Sequence, residues 1–332
     1  MKRTKISMQL LLALPLVATA FSSAAMDKVT LKLAHNLDTS HIVHQTWVQM
    51  AKDLNEESGG KMKLRIYPGG QMGGPRETLE LLQNGALDMT KAMANELEAF
   101  TPAYSIYSLP YLFHSDAHFN AVIHGPVGQA MTEETKAKGF FPVAAYVGGT
   151  RSFYSKKPIH SPADMKGMKF RVIVTPTTIK FIELLGASPV SIPLGEVYTA
   201  LQQGVIDGAE NNEPSYVQTR HEEVAKYYTE NQHTSVPDYL VIANKTWDRL
   251  SDEQKAVLEK VLKKSETEQA KAWNIMVADS VKEAEKEGAT FIKVDKEPFR
   301  KALQPLYDEF KKDPVRGPWI AQVENAAKGL AQ

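Results

Sequence analysis

Apolar and polar residues alternate in short runs through the first half of the chain, and longer segments with helical spacing separate these runs. The runs that predict strands are Val29–Ala34, Met62–Tyr67 and Leu87–Met89. A helix is expected between the first two, capped from Asp38-Thr39-Ser40 and ending at about Glu57. Pro75 suits the first position of a second helix, PRETLELLQNG. Strands that alternate with helices in this way indicate an α/β fold with a largely parallel sheet.

The same alternation returns in the second half of the chain. It predicts strands at Phe170–Val174, Pro189–Ile192 and Val205–Asp207, with helices at Thr177–Leu185 and Gly195–Gln203. One segment, LQNGALD at Leu82–Asp88, is echoed by LQQGVID at Leu201–Asp207. In both, a helix ends on a glycine and a strand is expected to follow, which suggests two lobes of similar construction.

A long helix is expected from Ser251. Ser251 and Gln254 form a capping box, and no glycine or proline follows until Gly288. One continuous helix of this length would extend about 55 Å, enough to lie across both lobes as a brace. The alternative is two helices with a kink near Lys271, followed by a short strand at Thr290–Val294.

Residues 1–25 have the pattern of a cleaved secretory signal peptide. Lys2, Arg3 and Lys5 precede a short apolar run, and cleavage is expected after Ala25, with Ala20 as an earlier option. The chain contains no cysteine, which excludes thiolate catalysis and cysteine-bound metals. Without the three basic residues of the leader, 36 basic residues stand against 39 acidic ones, which argues against nucleic-acid binding. The mature protein is expected to be soluble.

Two arginines in the segment Gly148–Val172 are the leading candidates for ligand binding. Arg151 follows a glycine pair, where the chain can turn sharply, and Arg171 lies within a run that predicts a buried strand. A guanidinium keeps its charge when buried and therefore requires an anion, and its planar fork suits a carboxylate. A structural ion pair, or an arginine that faces water at the strand end, would explain the same pattern.

Other chemistry is weakly indicated. The chain lacks the glycine-rich phosphate-binding, metalloprotease and serine-hydrolase motifs. His35, His41 and His44 could share a metal, but no carboxylate completes the set, and solvated or core histidines explain them as well. The segment Asp207–Pro214 follows a predicted strand, so its asparagines either bind a ligand or form a polar turn.

Longer segments resemble the substrate-binding proteins of TRAP transporters. The resemblance is carried by SPADMKGMKFRV, by LLGASPVSIPLGEVYTALQQGVIDGAENN, by GGKMKLRIYPGGQMGGPRETLELLQNGALDM and by SLPYLF at Ser108–Phe113. It implies a two-lobed periplasmic binding protein with hinge strands and a long C-terminal helix spanning both lobes. The implied first lobe comprises residues 26–149 and about 238–275, and the second lobe residues 150–237 and about 276–332.

The resemblance also implies roles for individual residues. The arginine of the K-x-R-V strand, here Arg171, grips the substrate carboxylate, with Arg151 and Asn211 assisting. His35, Glu77 and Asn95 match members that take sugar acids, so a hexuronate such as glucuronate or galacturonate is favoured over a C4-dicarboxylate or a keto acid. Relatives that bind sialic acid carry a carboxylate near Met93, and its lack in this sequence argues against sialic acid.

The implied function is capture of an organic acid by lobe closure in the periplasm, without a cofactor, followed by delivery to the small and large subunits of a membrane permease. Two other classes fit the same residues. A secreted hydrolase or lyase could use Glu77 or His35 as a base, and a solute receptor could signal through a membrane sensor.

Overall fold

The computed structural model describes residues 26–173 and 175–328, so the predicted signal peptide lies outside the described residues. Its strands are β1 Val29–Ala34, β2 Met62–Tyr67, β3 Met89–Met93, β4 Phe140–Tyr146, β5 Thr150–Ser155, β6 Lys169–Val172, β7 Ser188–Ser191, β8 Gly208–Asn211, β9 Tyr227–Ser235, β10 Asp238–Ala243 and β11 Thr290–Lys293. Its helices are α1 Ile42–Glu57, α2 Pro75–Asn84, α3 Asp116–Ile123, α4 Pro126–Lys136, α5 Pro176–Leu184, α6 Val197–Gln202, α7 Glu213–Gln218, α8 Asn244–Arg249, α9 Asp252–Lys286, α10 Glu297–Lys312 and α11 Arg316–Lys328. Short 3-10 helices lie at Ala94–Ala99, Pro102–Ser108, Pro162–Met165, Leu194–Glu196 and His221–Glu223.

The strands form two sheets, one in each lobe, which confirms the two-lobed α/β fold. The first sheet has the order β2-β1-β3-β10-β4 and the second the order β11-β9-β5-β8-β6-β7. Strands β1, β2 and β3 pair in parallel, whereas β10 joins β3 and β4 in antiparallel pairs. In the second sheet, β6 is parallel to β7 and β8. The chain crosses between the sheets three times, from β4 to β5, from β9 to β10 and, through α8 and α9, from β10 to β11.

The long helix α9 belongs to the third crossing and packs against both lobes. It is one continuous helix of 35 residues, as predicted, and it begins with the expected capping box between Ser251 and Gln254. It packs against α1 and β4 in the first lobe and against α7 and β11 in the second. Gln269 of α9 accepts a hydrogen bond from Val147 N at 2.9 Å and donates one to Val147 O at 2.8 Å. Because Val147 follows the last residue of β4, these bonds satisfy backbone groups beyond the end of its pairing with β10.

The glycine pair between β4 and β5 allows the closest approach to this helix. Gly149 has a φ of +65°, and a Cβ there would lie 2.9 Å from Trp273 Cζ2. Only glycine fits both the backbone conformation and the indole ring. The connection from the first sheet to the second is therefore held against α9 by direct contact.

Local predictions fail where side chains take part in unexpected hydrogen bonds. The N-cap of α1 is His41 rather than Asp38, Thr39 or Ser40, because the Asp38 carboxylate accepts a hydrogen bond from Ser40 N in a turn before the helix. The strand expected at Leu87–Met89 is β3, which begins at Met89. The strand expected at Val205–Asp207 is β8, which begins at Gly208 and runs through the asparagine-containing segment predicted to follow a strand.

The last two helices, α10 and α11, contact helices of both lobes. Helix α10 packs against α5, whereas α11 contacts α3 and α4, and His118 in α3 hydrogen-bonds Val323 O at 2.8 Å. The assignment of residues from about 276 to 332 to the second lobe stays a prediction. Within that range, α11 contacts helices of the first lobe. Within residues 26–173 and 175–328, no helix combines the length and apolar composition needed to cross a bilayer.

Candidate functional site

A cavity of about 570 Å³ lies between the two sheets. The first-lobe residues that line it are Asn36, Leu37, His41, Gly69, Gly70, Gly73, Gly74, Pro75, Arg76, Glu77, Lys91, Met93, Glu96, Ala99 and Asp238. The second-lobe residues that line it are Arg151, Arg171, Ile173, Ile192, Pro193, Leu194, Gly195, Asn211, Asn212 and Ser215. Both lobes contribute the ends of strands, which is where ligands bind in open α/β sheets. Its volume falls in the range of small-molecule sites.

Arg171 is the charged group that the second lobe presents to the cavity. It lies on β6 between β7 and β8, and its side chain is buried. Its Nε donates to Ile192 O at 3.0 Å, and within the described residues it forms no salt bridge. Burial lowers the pKa of Arg171, which means that its charged form is poorly compensated by the protein. A buried guanidinium of this kind is a ready site for an anion.

Arg151 is already paired. Its guanidinium contacts the Glu210 carboxylate through Nε and through Nη2, the latter at 3.0 Å from Oε1, and Nη2 also donates to Glu210 O at 2.9 Å. Burial favours a raised pKa for Glu210, but the guanidinium and His233 bring that pKa down to about 2. The alternative that the sequence left open, a structural ion pair, therefore applies to Arg151.

Asn211 is oriented by this ion pair. Its Oδ1 accepts hydrogen bonds from Arg151 Nη1 at 2.8 Å and from Asn212 N at 3.0 Å. The amino group of Asn211 is the end of the side chain that remains for a ligand on the cavity wall. Asn212 caps α7 through Ser215 N and donates to Gly148 O at 2.8 Å, so this wall is tied to the crossing between the lobes.

The first lobe contributes acidic groups. Glu77 stands in the first turn of α2 and is exposed to the cavity. Glu96 is half-buried and accepts a hydrogen bond from Met93 N at 2.8 Å, and burial raises its pKa. A carboxylate therefore does lie beside Met93, and the prediction that this sequence lacks one is wrong. Lys91 and Asp238 form a buried ion pair of 2.9 Å on the same wall.

Lys91, Glu96 and Asp238 line the cavity but were missed by sequence reasoning, and His41, which was considered only as a metal ligand, lines it too. Lys91 lies within the buried strand β3. Because lysine is unusual in a buried strand, it was the one signal in the sequence that pointed to a charged site here. His41 is buried as the N-cap of α1, and burial lowers its pKa to about 4, so it is neutral at pH 7.

His35 and Asn95 lie outside the cavity lining, whereas Glu77, Arg151, Arg171 and Asn211 belong to it. His35 is buried, with Nε2 at 2.9 Å from His44 Nδ1 and Nδ1 accepting from Leu37 N, and burial lowers its pKa to about 3. Asn95 faces a separate small cavity behind Arg151. The ligand contacts predicted for these two residues stay predictions that this geometry does not favour.

The histidines do not form a metal site with other residues of the described chain. His35 and His44 contact each other, but residues 26–173 and 175–328 contain no group of three or more histidine, aspartate or glutamate side chains placed to hold a metal ion. His41 has its ring in the N-cap of α1 instead, where Nδ1 accepts from Val43 N. Hydrogen bonding within the first lobe accounts for all three.

Known proteins share both the sequence and the fold. Residues 33–313 match the family model of the bacterial extracellular solute-binding proteins, family 7 (DctP). The Salmonella typhimurium protein YiiZ is 41% identical over 268 residues, 80% of this chain and 82% of that protein.

Two solved structures are similar over nearly the whole chain. A TRAP periplasmic solute-binding protein from Xanthobacter autotrophicus with bound β-D-galacturonate has a TM-score of 0.85 and 34% identity, and the match covers 89% of this chain and 99% of that one. One from Anaerococcus prevotii with bound D-glucuronate has a TM-score of 0.87 and 33% identity, covering 91% and 99%. Sequence and structure together show that this chain belongs to the DctP family of TRAP-transporter solute-binding proteins.

Proposed function

We propose that this protein captures a hexuronate, D-glucuronate or D-galacturonate, in the periplasm and delivers it to the small and large subunits of a TRAP permease. The observation that carries the proposal is Arg171, a buried cation without a salt bridge among the described residues, on the wall of a 570 Å³ cavity. The bound uronates of the two similar structures support the choice of ligand.

The ligand carboxylate would bind Arg171. Two parallel hydrogen bonds from the guanidinium to the carboxylate would supply both charge and orientation. The amino group of Asn211 is available as a further donor to the same end of the ligand. Arg151 would act through Asn211, because its own donors are used by Glu210 and Asn211.

The sugar hydroxyls would face the first lobe. A uronate carries several hydroxyl groups, each of which needs a partner once water is excluded. The Glu77 and Glu96 carboxylates can accept hydrogen bonds from them. Contacts to the ligand from both lobes exist together only when the lobes are closed, so binding would shift the population towards the closed state.

A binding role is favoured over an enzymatic one. Of the two bases considered for an enzyme, His35 lies outside the cavity lining and both of its ring nitrogens are in hydrogen bonds. Glu77 remains, and as a hydrogen-bond acceptor it serves recognition equally well. Recovery of unchanged uronate after incubation with the protein would support the receptor.

We expect D-glucuronate or D-galacturonate to raise the unfolding midpoint of the purified mature protein. A ligand that binds only the native state adds about 2.7 kcal/mol at a concentration 100 times its Kd, which is about 5 °C for a chain of this size. The measurement is a thermal-shift titration, with D-glucose as the control that lacks a carboxylate. A shift with succinate or pyruvate but with neither uronate would contradict the proposed ligand.

A further inference from the structure

The charged groups of the cavity are divided between its two sides. On the second lobe, Arg171 is unpaired among the described residues and Arg151 is neutralised by Glu210. On the first lobe, Glu77 and Glu96 both line the cavity, and neither has a salt bridge within the described chain. The second lobe therefore adds an unpaired positive charge to the cavity and the first lobe adds two carboxylates, of which Glu96 also lies near enough to Arg171 for the guanidinium to oppose the rise in its pKa.

The basic residues of the first lobe do not cancel the charge of these two carboxylates. Lys91 is held 2.9 Å from Asp238, so its charge is matched there, although it also lies near enough to Glu96 to oppose the rise in that pKa. Arg76 pairs with Glu80 at 3.1 Å, and its side chain is 74% exposed, where water and salt screen its charge.

The Glu77 side chain packs against the glycine loop before α2. A Cβ on Gly74 would lie 2.9 Å from Glu77 Oε2, and a Cβ on Gly73, whose φ is +99°, would lie 2.9 Å from Glu77 Cβ. The loop therefore packs directly against this side chain, and all three residues line the cavity. Glu96 is fixed by its hydrogen bond from Met93 N at 2.8 Å.

We propose that Glu77 and Glu96 make this site selective for ligands with a single carboxylate and exclude dicarboxylates. The inference rests on the proposed function, in which the ligand carboxylate binds Arg171. Hydroxyl groups at the far end of the ligand donate to the two glutamates, whereas a second carboxylate there would meet two negative charges and have no proton to donate. A uronate is accepted, and the aldarate formed by oxidising its other end is rejected.

The experiment compares D-glucuronate, D-gluconate and D-glucarate by calorimetry. Gluconate and glucarate are both open chains that differ at one terminus, where glucarate has a carboxylate. We expect D-glucarate to bind wild-type protein about 100-fold more weakly than D-glucuronate, because each like charge a few ångström away costs about tenfold. In the double variant Glu77→Gln, Glu96→Gln the glucarate affinity should rise by at least about tenfold.

Control measurements distinguish an effect of the changed charge on binding from an effect on folding. Glutamine can still accept the Met93 N–H bond, and the single variant Glu77→Gln changes only an exposed side chain, so both variants should unfold near the wild-type temperature. Glu259→Gln, on an exposed part of α9 outside the cavity lining, should leave all affinities unchanged. D-gluconate should bind at least about tenfold more tightly than D-glucarate to wild-type protein and lose this advantage in the double variant.

The results of these titrations test the inference and the proposed function separately. Equal binding of D-glucarate and D-glucuronate by wild-type protein, or a double variant with no gain in glucarate binding, would overturn the inference and leave the uronate function standing. Failure of wild-type protein to bind either uronate would overturn the proposed function and the inference that rests on it.

Discussion

Replacing Arg171 with methionine is expected to weaken uronate binding by about 100-fold or more and to raise the unfolding midpoint of the ligand-free protein. Removing one partner of a buried, hydrogen-bonded charge pair costs about 2 to 5 kcal/mol of binding energy, so Kd should rise by about 100-fold or more. Without a ligand, Arg171 is a buried cation with no salt bridge in the described chain, and an apolar side chain of similar length should add about 1 kcal/mol of stability.

Calorimetry with D-glucuronate and thermal unfolding without ligand measure the two effects. Arg171→Lys is the matched control, because it keeps the charge but loses the planar fork, and should weaken binding by about tenfold. Unchanged affinity in Arg171→Met would refute the carboxylate contact. A large fall in its unfolding midpoint would instead show that Arg171 is structural.

The opposite result is expected for the buried pair beside it. Glu210→Gln leaves the Arg151 guanidinium buried without its counter-charge, which should cost about 3 to 5 kcal/mol of unfolding free energy. The double variant Arg151→Met, Glu210→Met removes both charges and should recover much of that loss. Chemical denaturation of the single and double variants measures these changes.

The pH dependence follows from the same pair. The pKa of Glu210 falls from 4.5 to about 2 on folding, so its contribution to stability is complete above pH 4.5 and is lost as the pH falls towards 2. The loss amounts to about 3 kcal/mol across that window. Wild-type protein should show it and Glu210→Gln should not. A variant with wild-type stability at pH 7 would contradict the account of Arg151.

These two arginines show how far sequence reasoning reached. Both were identified from the sequence, yet nothing local distinguishes the free cation from the paired one. Glu210 lies 59 positions from Arg151 and stands in a segment, Asp207–Pro214, that was predicted to follow a strand. Residues Gly208–Asn211 of this segment are instead the buried strand β8, where Arg151 reaches Glu210 from β5 and compensates its charge.

Elements with local signals were predicted well. The capping box at Ser251 and the absence of glycine and proline specify α9, and alternation specifies β1 and β2 with their observed bounds. Side-chain direction at strand ends has no such signal. His35 follows β1 as expected, but its ring is directed towards His44 inside the first lobe instead of towards the cavity. Lys91 and Asp238 pair across β3 and β10, a contact between residues far apart in sequence.

The central claim, that Arg171 recognises the carboxylate of a hexuronate, is tested most directly by a matched pair of ligands. D-Glucuronate and D-glucuronamide have the same ring and hydroxyl groups and differ only in the charge of one terminal group. Calorimetric titration of the wild-type protein should give a Kd for D-glucuronate that is at least about 100-fold lower than that for the amide. Equal affinities for the two ligands would contradict the claim.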